Sequence, residues 1–184
     1  MKTAPDNPLD QFAHARALCE KGLWSEVLTF AKKWQQENPA VAAAWFYQGE
    51  ALAGWGRFAE AETAYRRALA LHAGDFLTWD RLANLLFENL HRPADGAKCL
   101  AQALVLDPGN KLGWAKLAGM HSQLGRHEPA LECAERALAL DPQMAVAHLQ
   151  RARAALALGK MEIVRATSET LAKMPVEQFK AAAG

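Results

Sequence analysis

Residues 45–68, WFYQGEALAGWGRFAEAETAYRRA, contain two helical patterns separated by a glycine. In the first pattern, Trp45, Gly49 and Leu52 follow one another at steps of four and three residues, so they share one face of a helix. The second pattern keeps the same spacing of small and apolar residues. Between the two lies Gly56, and glycine most readily adopts the left-handed conformation that closes a helix. The stretch therefore predicts two helices joined by a tight turn.

This helix–turn–helix pattern recurs along the chain. Residues 114–137, WAKLAGMHSQLGRHEPALECAERA, repeat the same order of tryptophan, small residue, glycine and alanine. Small residues at 15, 49, 83, 118 and 152 recur at steps of 34, 34, 35 and 34, and they let neighbouring helices approach closely. Such a short unit cannot bury both helix faces alone, so its stability depends on stacking. The pattern predicts five repeats at 8–41, 42–75, 76–110, 111–144 and 145–178, with an N-terminal extension at 1–7 and a short tail at 179–184.

Two features of the repeats carry further structural predictions. In the third repeat Leu90-His91-Arg92-Pro93 replaces the glycine turn and is one residue longer, so the extra residue is predicted to lie in the loop. Tryptophan begins the first helix of the second, third and fourth repeats, and His148 continues that series. A buried tryptophan removes about 150–250 Å² from solvent, so these rings are predicted to fill the space between repeats.

Composition limits the kinds of partner and the location. Lys plus Arg number 21 and Asp plus Glu number 20, so the basic excess of proteins that bind nucleic acid or anionic membranes is missing. No stretch approaches the roughly 20 apolar residues of a membrane-spanning helix, and residues 1–8 lack the apolar segment of a secretory signal. Cys19, Cys99 and Cys133 are too far apart for a zinc ribbon or a disulfide framework. The sequence predicts a cytoplasmic protein with no nucleic-acid partner and no membrane insertion.

Motifs for catalysis or metal binding are absent from the sequence. It contains no Gly-x-x-x-x-Gly-Lys phosphate loop, no Gly-x-Ser-x-Gly elbow and no His-Glu-x-x-His zinc motif. The histidines are scattered, and His121 and His127 lie six residues apart across a turn, which is a poor spacing for a shared metal ion. We therefore predict no catalytic residue, no metal site and no cofactor, and we expect that the chain is not an enzyme.

The repeat resembles that of the tetratricopeptide repeat (TPR) family, which combines a 34-residue helix–turn–helix period with Trp, a small residue four positions later, and Ala and an aromatic residue in the second helix. The residues that carry the resemblance best are Trp45, Gly49, Leu52, Gly56, Ala61, Tyr65 and Ala68, and then Trp114, Leu117, Ala118, Gly125, Ala130, Ala137 and Pro142. The resemblance implies an all-α fold, a right-handed superhelical solenoid of antiparallel helix pairs whose first helices line a concave groove. It also implies a protein–protein interaction scaffold or adaptor that binds a peptide segment or an amphipathic helix of a partner protein, without catalytic machinery in its repeats.

The groove-facing positions of the family map onto residues from all five repeats. They are Phe12, Arg16, Phe46, Tyr47, Glu50, Leu77, Asp80, Arg81, Asn84, Leu112, Lys116, Gln150 and Arg153. The implied lining is a mixture of aromatic side chains and both signs of charge. Two other interpretations stay open. Polar residues on a helix face are often only solvated, and Phe12 and Phe46 could pack between adjacent helices instead of contacting a ligand.

Some TPR domains clamp a C-terminal carboxylate with Lys, Asn and Arg residues from three repeats. Asn84 matches one such Asn, but Asp80 occupies the position of a preceding Lys, and Lys116 occupies the position of the next Asn. This lining therefore suits an internal peptide or an amphipathic helix better than a free carboxylate.

The first repeat suggests an alternative function. Trp34 stands where the family usually has Ala, and Trp24 and Trp34 are predicted to point outward. An exposed tryptophan patch favours self-association, so a self-assembling structural scaffold, and hence a homo-oligomer, is one alternative. Another is a recognition subunit of a larger enzyme, maturation or secretion complex, which would use the same groove.

Overall fold

The computed structural model describes residues 7–174, and this part of the chain contains no β-strand. The extension predicted at 1–7, except for its last residue, and the tail predicted at 179–184 lie outside it. The prediction of an all-α chain is confirmed. The elements of the described range are α1 (Pro8–Glu20), α2 (Trp24–Glu37), α3 (Ala42–Gly54), α4 (Phe58–Leu71), α5 (Phe76–Asn84), the π-helical segment π1 (Leu85–Asn89), α6 (Pro93–Leu106), α7 (Lys111–Gln123), α8 (His127–Leu140), α9 (Ala145–Ala157) and α10 (Met161–Ala172).

Two α-helices fall within each of the five predicted repeats. The chain divides into two compact units, the first of residues 1–91 and the second of residues 92–184. The first unit holds α1–α5 and π1, and the second holds α6–α10. The division falls inside the third predicted repeat, after His91.

Glycine closes the first helix of four repeats, as predicted. Gly56 has a φ of 74°, and its N–H donates to the carbonyl of Ala53 at 2.9 Å. The next N–H, of Arg57, donates to the carbonyl of Leu52, also at 2.9 Å. These paired hydrogen bonds satisfy carbonyls that the helix end would otherwise leave without partners. The other three left-handed glycines of these turns are Gly22, Gly125 and Gly159.

The extra residue of the third repeat lies in its first helix, so the prediction of a longer loop is wrong. Trp79 and His91 are twelve residues apart, one more than the corresponding spacing in the second and fourth repeats. The helix widens into π1, where the N–H of Leu90 donates to the carbonyl of Leu85, five residues earlier, at 3.0 Å. A π-turn absorbs one inserted residue without ending the helix. His91 then takes the place of the turn glycine, with a φ of 53°.

The tryptophans that begin the first helices fix the turns between repeats. The indole N–H of Trp79 and that of Trp114 each donate to a carbonyl six residues earlier, both at 2.9 Å. Trp45 makes the equivalent bond at 3.5 Å, and Nε2 of His148 lies 2.9 Å from the corresponding carbonyl. The three tryptophans are only partly buried. They therefore fill the space between repeats only in part. Each also has a second role, since its indole hydrogen bond holds its helix to the preceding turn.

A close helix approach organises the first unit. A Cβ built on Gly49 would lie 2.5 Å from Cε1 of Tyr65, so the tyrosine ring packs directly on the backbone of α3. Tyr65 is 2% exposed, and this burial leaves its ring little room to move aside. The predicted role of a small residue at position 49 is confirmed.

The core of the second unit is built mostly from alanine. Small side chains let α8, α9 and α10 approach closely, and larger side chains close the edges. The buried cluster between these helices consists of Ala130, Leu131, Ala154 and Ala155, against which Leu158, Ile163 and Val164 pack.

Replacing His91 by glycine should stabilise the chain. A non-glycine residue in the left-handed conformation costs roughly 1–2 kcal/mol, and the greater freedom of glycine in the unfolded chain offsets part of this. We expect His91→Gly to raise the free energy of unfolding by about 1 kcal/mol in urea denaturation. The matched control is Gly125→Ala, because an added Cβ there meets no atom within 4 Å. That change should lower the free energy of unfolding by about the same amount, and a neutral His91→Gly would contradict this account of the turn.

Candidate functional site

A pocket of about 400 Å³ lies among α1, α3 and α5 of the first unit. We name it the aromatic pocket, and we name the surface formed by these three helices the first-helix face. Four of the predicted groove residues line the pocket together, which are Phe12, Phe46, Tyr47 and Leu77. The rest of the lining is Val41, Ala42, Ala43, His72 and Asp75.

The floor of the aromatic pocket is held by packed rings. Trp34 is 4% exposed, and its ring centroid lies 5.2 Å from that of Phe12 and 6.5 Å from that of Tyr47. Phe46 and Tyr47 meet edge to face at 5.2 Å. Such pairs stabilise one another beyond the area they bury. The prediction that Trp34 points outward is therefore wrong, since Trp34 supports the pocket from behind.

The aromatic residues of the pocket divide into floor and rim. Phe46 and Tyr47 are each 9% exposed, whereas Phe12 is 43% and Leu77 is 37% exposed. Phe46 thus packs between helices, one of the interpretations left open, while it also lines the pocket. The hydroxyl of Tyr47 donates to the backbone carbonyl of Phe12 at 3.3 Å and joins α3 to α1. Burial is the main cause that raises the pKa of Tyr47, so this hydroxyl keeps its proton.

A second pocket, of about 260 Å³, is lined by residues of α2, α3, α4, α5 and π1. We name it the polar pocket because its lining includes Glu50, Arg81, Asn84 and Asn89. The hydroxyl of Tyr65 donates to the carboxylate of Glu50 at 2.5 Å, and Nε of Arg81 lies 3.3 Å from the same carboxylate. These contacts connect α3, α4 and α5. The lining residues are Trp24, Glu50, Ala53, Gly54, Tyr65, Arg81, Asn84, Leu85 and Asn89.

The charge of Glu50 and the burial around it keep two neighbouring groups protonated. The pKa of Tyr65 is raised, first by burial and then by the Glu50 charge. Burial and then the Glu50 charge raise the pKa of the Cys19 thiol to about 11. A thiol with that pKa is almost entirely protonated near neutral pH, so Cys19 lacks the thiolate that a nucleophile needs.

The charges of Asp75, which was not among the predicted groove residues, and of the predicted Asp80 and Arg16 have different surroundings. Asp75 caps α5, since its carboxylate accepts from the N–H of Leu77 at 3.2 Å. Asp80 is half-buried and accepts from the side-chain amide of Asn84 at 3.1 Å. Arg16 pairs with Glu20 one turn away, at 3.4 Å on the exposed side of α1. Arg16 does not line either of the two pockets.

The predicted groove residues of the second unit are more exposed. Leu112 is 60% exposed, and Lys116 and Arg153 also face solvent. Gln150 is half-buried, and its side-chain amide nitrogen would lie 3.4 Å from a Cβ on Gly119. The side chain of Gln150 on α9 therefore lies beside α7 at Gly119.

Trp24, like Trp34, does not form an exposed tryptophan patch. A Cβ on Gly54 would lie 2.5 Å from Cδ2 of Trp24, so the Trp24 ring packs on the end of α3 and borders the polar pocket. The patch predicted from Trp24 and Trp34 is therefore wrong. The exposed aromatic residues of this unit are instead Phe12, Trp55 and Phe76.

His121, at the end of α7, is a partly buried titratable group. Its Nδ1 is buried without a hydrogen-bond partner among the described residues. Burial, followed by the positive charge of Arg126, lowers the pKa of His121 below the ordinary 6.5. The folded second unit therefore favours the neutral imidazole.

Residues 7–174 contain neither a candidate metal site nor a candidate membrane span. No group of three or more His, Cys, Asp and Glu residues in this range is placed to hold a metal ion. None of its helices combines the length and the apolar composition that crossing a membrane requires.

Comparison with known proteins identifies the family. The sequence matches the family model described as tetratricopeptide repeat over residues 27–76, 81–145 and 121–162. The chain belongs to the tetratricopeptide repeat family, as its repeats predicted. Repeats of this family are protein–protein interaction modules, and an interaction scaffold is the general function of the chain. Among curated protein sequences, the comparison found no significant match.

Solved structures share the fold. A crystal structure of MamA superposes with a TM-score of 0.75 at 16% identity, covering 92% of this chain and 96% of MamA. MamA from Desulfovibrio magneticus RS-1, residues 41 to the end, gives 0.73 at 17% identity over 99% and 100% of the two chains. YrrB, described as a TPR protein with an unusual peptide-binding site, gives 0.77 at 16% identity over 90% and 84%. These matches confirm the TPR-like fold.

Removing the Tyr65 hydroxyl should weaken the first unit. Because the hydroxyl donates to a charged acceptor, we expect Tyr65→Phe to lower the free energy of unfolding by about 1.5 kcal/mol. The control is Tyr47→Phe, whose hydroxyl meets a neutral carbonyl at 3.3 Å and should cost about 0.5 kcal/mol. Equal losses in urea denaturation would show that Glu50 does not make the stronger bond.

The stability of the second unit should depend on the protonation of His121. Its pKa is lowered on folding, so below about pH 6.5 the unfolded chain binds a proton that the folded chain resists. The stability that the neutral His121 contributes is therefore fully present above that pH and is lost as the pH falls below it. We expect the wild-type chain to lose more stability between neutral and mildly acidic pH than His121→Gln does, in parallel urea titrations. Identical losses in the two proteins would contradict the prediction.

Proposed function

We propose that this chain holds a peptide segment or an amphipathic helix of a partner protein on its first-helix face, with one partner side chain in the aromatic pocket. The observation that carries the proposal is a pocket of about 400 Å³ whose floor is already packed. Concave, largely apolar and preformed pockets with a few polar groups are the usual places for ligands. A rigid lining also lowers the entropic cost of binding, since its side chains need no further ordering.

YrrB supports the proposal, because it shares the fold and is described as having a peptide-binding site. The groove set taken from the family fits the first unit best, where seven of its residues line the two pockets. The proposed site also includes Arg16 and Asp80 on α1 and α5. Four further residues are proposed as partner contacts in the second unit, which are Leu112, Lys116, Gln150 and Arg153.

The proposed role is recognition without catalysis. The protonated thiol of Cys19 and the buried hydroxyl of Tyr65 favour a structural part for both groups. A partner of protein chemistry is favoured over nucleic acid by the near balance of 21 basic and 20 acidic residues. Cytoplasmic location stays a prediction from the sequence. A recognition subunit of a larger complex would use the same pocket, so that alternative belongs to the same proposal.

Selection of peptides from a random phage-displayed library on the immobilised chain tests the proposal. Selected peptides are then synthesised and titrated into the wild-type chain and into Ala43→Arg. Ala43 lines the aromatic pocket and is half-buried, so the arginine side chain would fill the pocket. We expect Ala43→Arg to weaken binding about tenfold or more, because it excludes a buried apolar side chain.

The same substitution on another surface provides the control. Ala59 is exposed on α4, so Ala59→Arg adds an identical side chain away from the first-helix face. It should leave binding unchanged, and circular dichroism should show equal helicity in all three proteins. Equal binding by the wild type and Ala43→Arg would place the site elsewhere and overturn the proposal.

A further inference from the structure

The charges around the aromatic pocket specify its occupant further. Resting on the proposed function, we infer that the partner segment is apolar and basic: a bulky apolar side chain enters the aromatic pocket, and a neighbouring Lys or Arg pairs with Asp80. The segment is internal, without a free carboxylate at this site. The chemistry of the pocket and the state of each nearby charge support this inference.

The pocket itself selects an apolar side chain. Its aromatic lining offers rings rigidly supported by Trp34, and its polar members, His72 and Asp75, are only two of nine. Phe12 and Leu77 stay partly exposed at the rim, so an inserted side chain would cover apolar surface that now contacts water. A buried aromatic or aliphatic anchor of this kind commonly supplies most of the binding energy at an interface.

Most charges near the pocket already have a compensating partner. Glu50 neutralises Arg81 through their 3.3 Å contact. Asp75 lies at the N-terminus of α5, where its side chain accepts from the backbone and the helix dipole stabilises a negative charge. Glu50 and Arg81 therefore present little net charge to a bound peptide, whereas Asp75 keeps its negative charge and is held by its hydrogen bonds to α5.

Asp80 differs from these groups. Its carboxylate accepts a neutral amide hydrogen bond from Asn84 at 3.1 Å, and no salt bridge to it exists among the described residues. It is also half-buried, where a charge interacts more strongly with a partner than it does in open solvent. A Lys or Arg of the partner would supply the missing opposite charge, whereas a carboxylate would be repelled.

Asp80 lines neither pocket, and its spacing from Leu77 on α5 indicates where this cation would lie. Asp80 follows Leu77 by three residues on α5 and precedes Arg81 of the polar pocket. Residues three and four apart share a helix face, and a three-residue step rises by about 4.5 Å. The cation thus lies one or two residues from the anchor in an extended segment, or about one turn away in a helical one.

Three synthetic peptides test the inference. All are acetylated and amidated, so none has a terminal charge, and each has an Ala/Ser background. The first has a central Phe flanked by Arg, the second has Glu in place of Arg, and the third has Ser in place of Phe. Titration of the ¹⁵N-labelled chain, followed by amide chemical shifts, gives both the affinity and the location of binding.

We expect the Phe/Arg peptide to bind with shifts centred on the aromatic pocket. Loss of the anchor should weaken binding about tenfold or more, and Glu for Arg should weaken it by roughly threefold to fivefold. Asp80→Lys should reverse the preference, so that this variant binds the Phe/Glu peptide better than the Phe/Arg peptide. Such a reversal cannot arise from damage to the fold.

Matched controls separate this charge effect from others. Glu132 is exposed on α8 in the second unit, so Glu132→Lys changes the net charge equally and should leave the preference unchanged. Asp80→Asn, a smaller change, should abolish the preference without reversing it. The affinity of Glu132→Lys for the Phe/Arg peptide should also fall with added salt as steeply as that of the wild type, because the charge that contacts the peptide is unchanged and is screened in the same way.

Two results would overturn the inference. If the Phe/Arg and Phe/Glu peptides bind the aromatic pocket equally, the basic requirement is wrong while the proposed function stands. If none of the three peptides shifts the pocket resonances at millimolar concentration, the inferred occupant is wrong. The proposed function then rests on the display-selected peptides, and it fails separately if those peptides bind equally to Ala43→Arg.

Discussion

The contact between Gly49 and Tyr65 is the constraint on which the first unit depends. Any side chain at residue 49 would overlap the Tyr65 ring, since a Cβ there would lie 2.5 Å from it. The close approach positions the tyrosine hydroxyl to donate to Glu50, and Glu50 in turn pairs with Arg81. The absence of a side chain at position 49 therefore allows the contacts that join α3, α4 and α5, and residues of these three helices line the polar pocket. Because the charge of Arg81 is satisfied internally, the carboxylates of the first-helix face that stay without an ion pair among the described residues include Asp80 and Asp75, of which Asp75 caps α5.

The departures of the first repeat from the family pattern gain a physical explanation from the pocket. A tryptophan at position 34 would be costly if it were exposed, but here it is 4% exposed behind Phe12 and Tyr47. The large ring occupies space that an alanine would leave empty, and it holds the aromatic floor in one arrangement. The unusual residues of the first repeat thus shape the aromatic pocket.

Much of the fold follows from the sequence because its determinants are local. The repeat period and the turn glycines act within a few residues, and the structure agrees with both. The inserted residue was misplaced because a π-turn and a longer loop have the same sequence length, and packing decides between them. The sequence signal for an insertion inside the helix is His91, which takes the place of the turn glycine one residue later than in the second and fourth repeats. The burial of Trp34 depends on rings from α1 and α3, and the packing of Trp24 depends on Gly54 of α3. Both are contacts between helices, which the periodicity of the sequence does not encode. The family positions predict one shared face that contains Phe12, Phe46, Tyr47 and Leu77. They do not predict that this face is divided into an aromatic and a polar pocket.

The central claim is that a partner side chain enters the aromatic pocket, and intermolecular nuclear Overhauser effects measure this most directly. A ¹³C,¹⁵N-labelled chain with an unlabelled display-selected peptide would give cross-peaks only for protons in close contact. The account predicts cross-peaks from one apolar side chain of the peptide to the rings of Phe12 and Phe46 and to the methyl groups of Leu77. Cross-peaks instead to Thr29 and Thr63, which are exposed on α2 and α4, would contradict it.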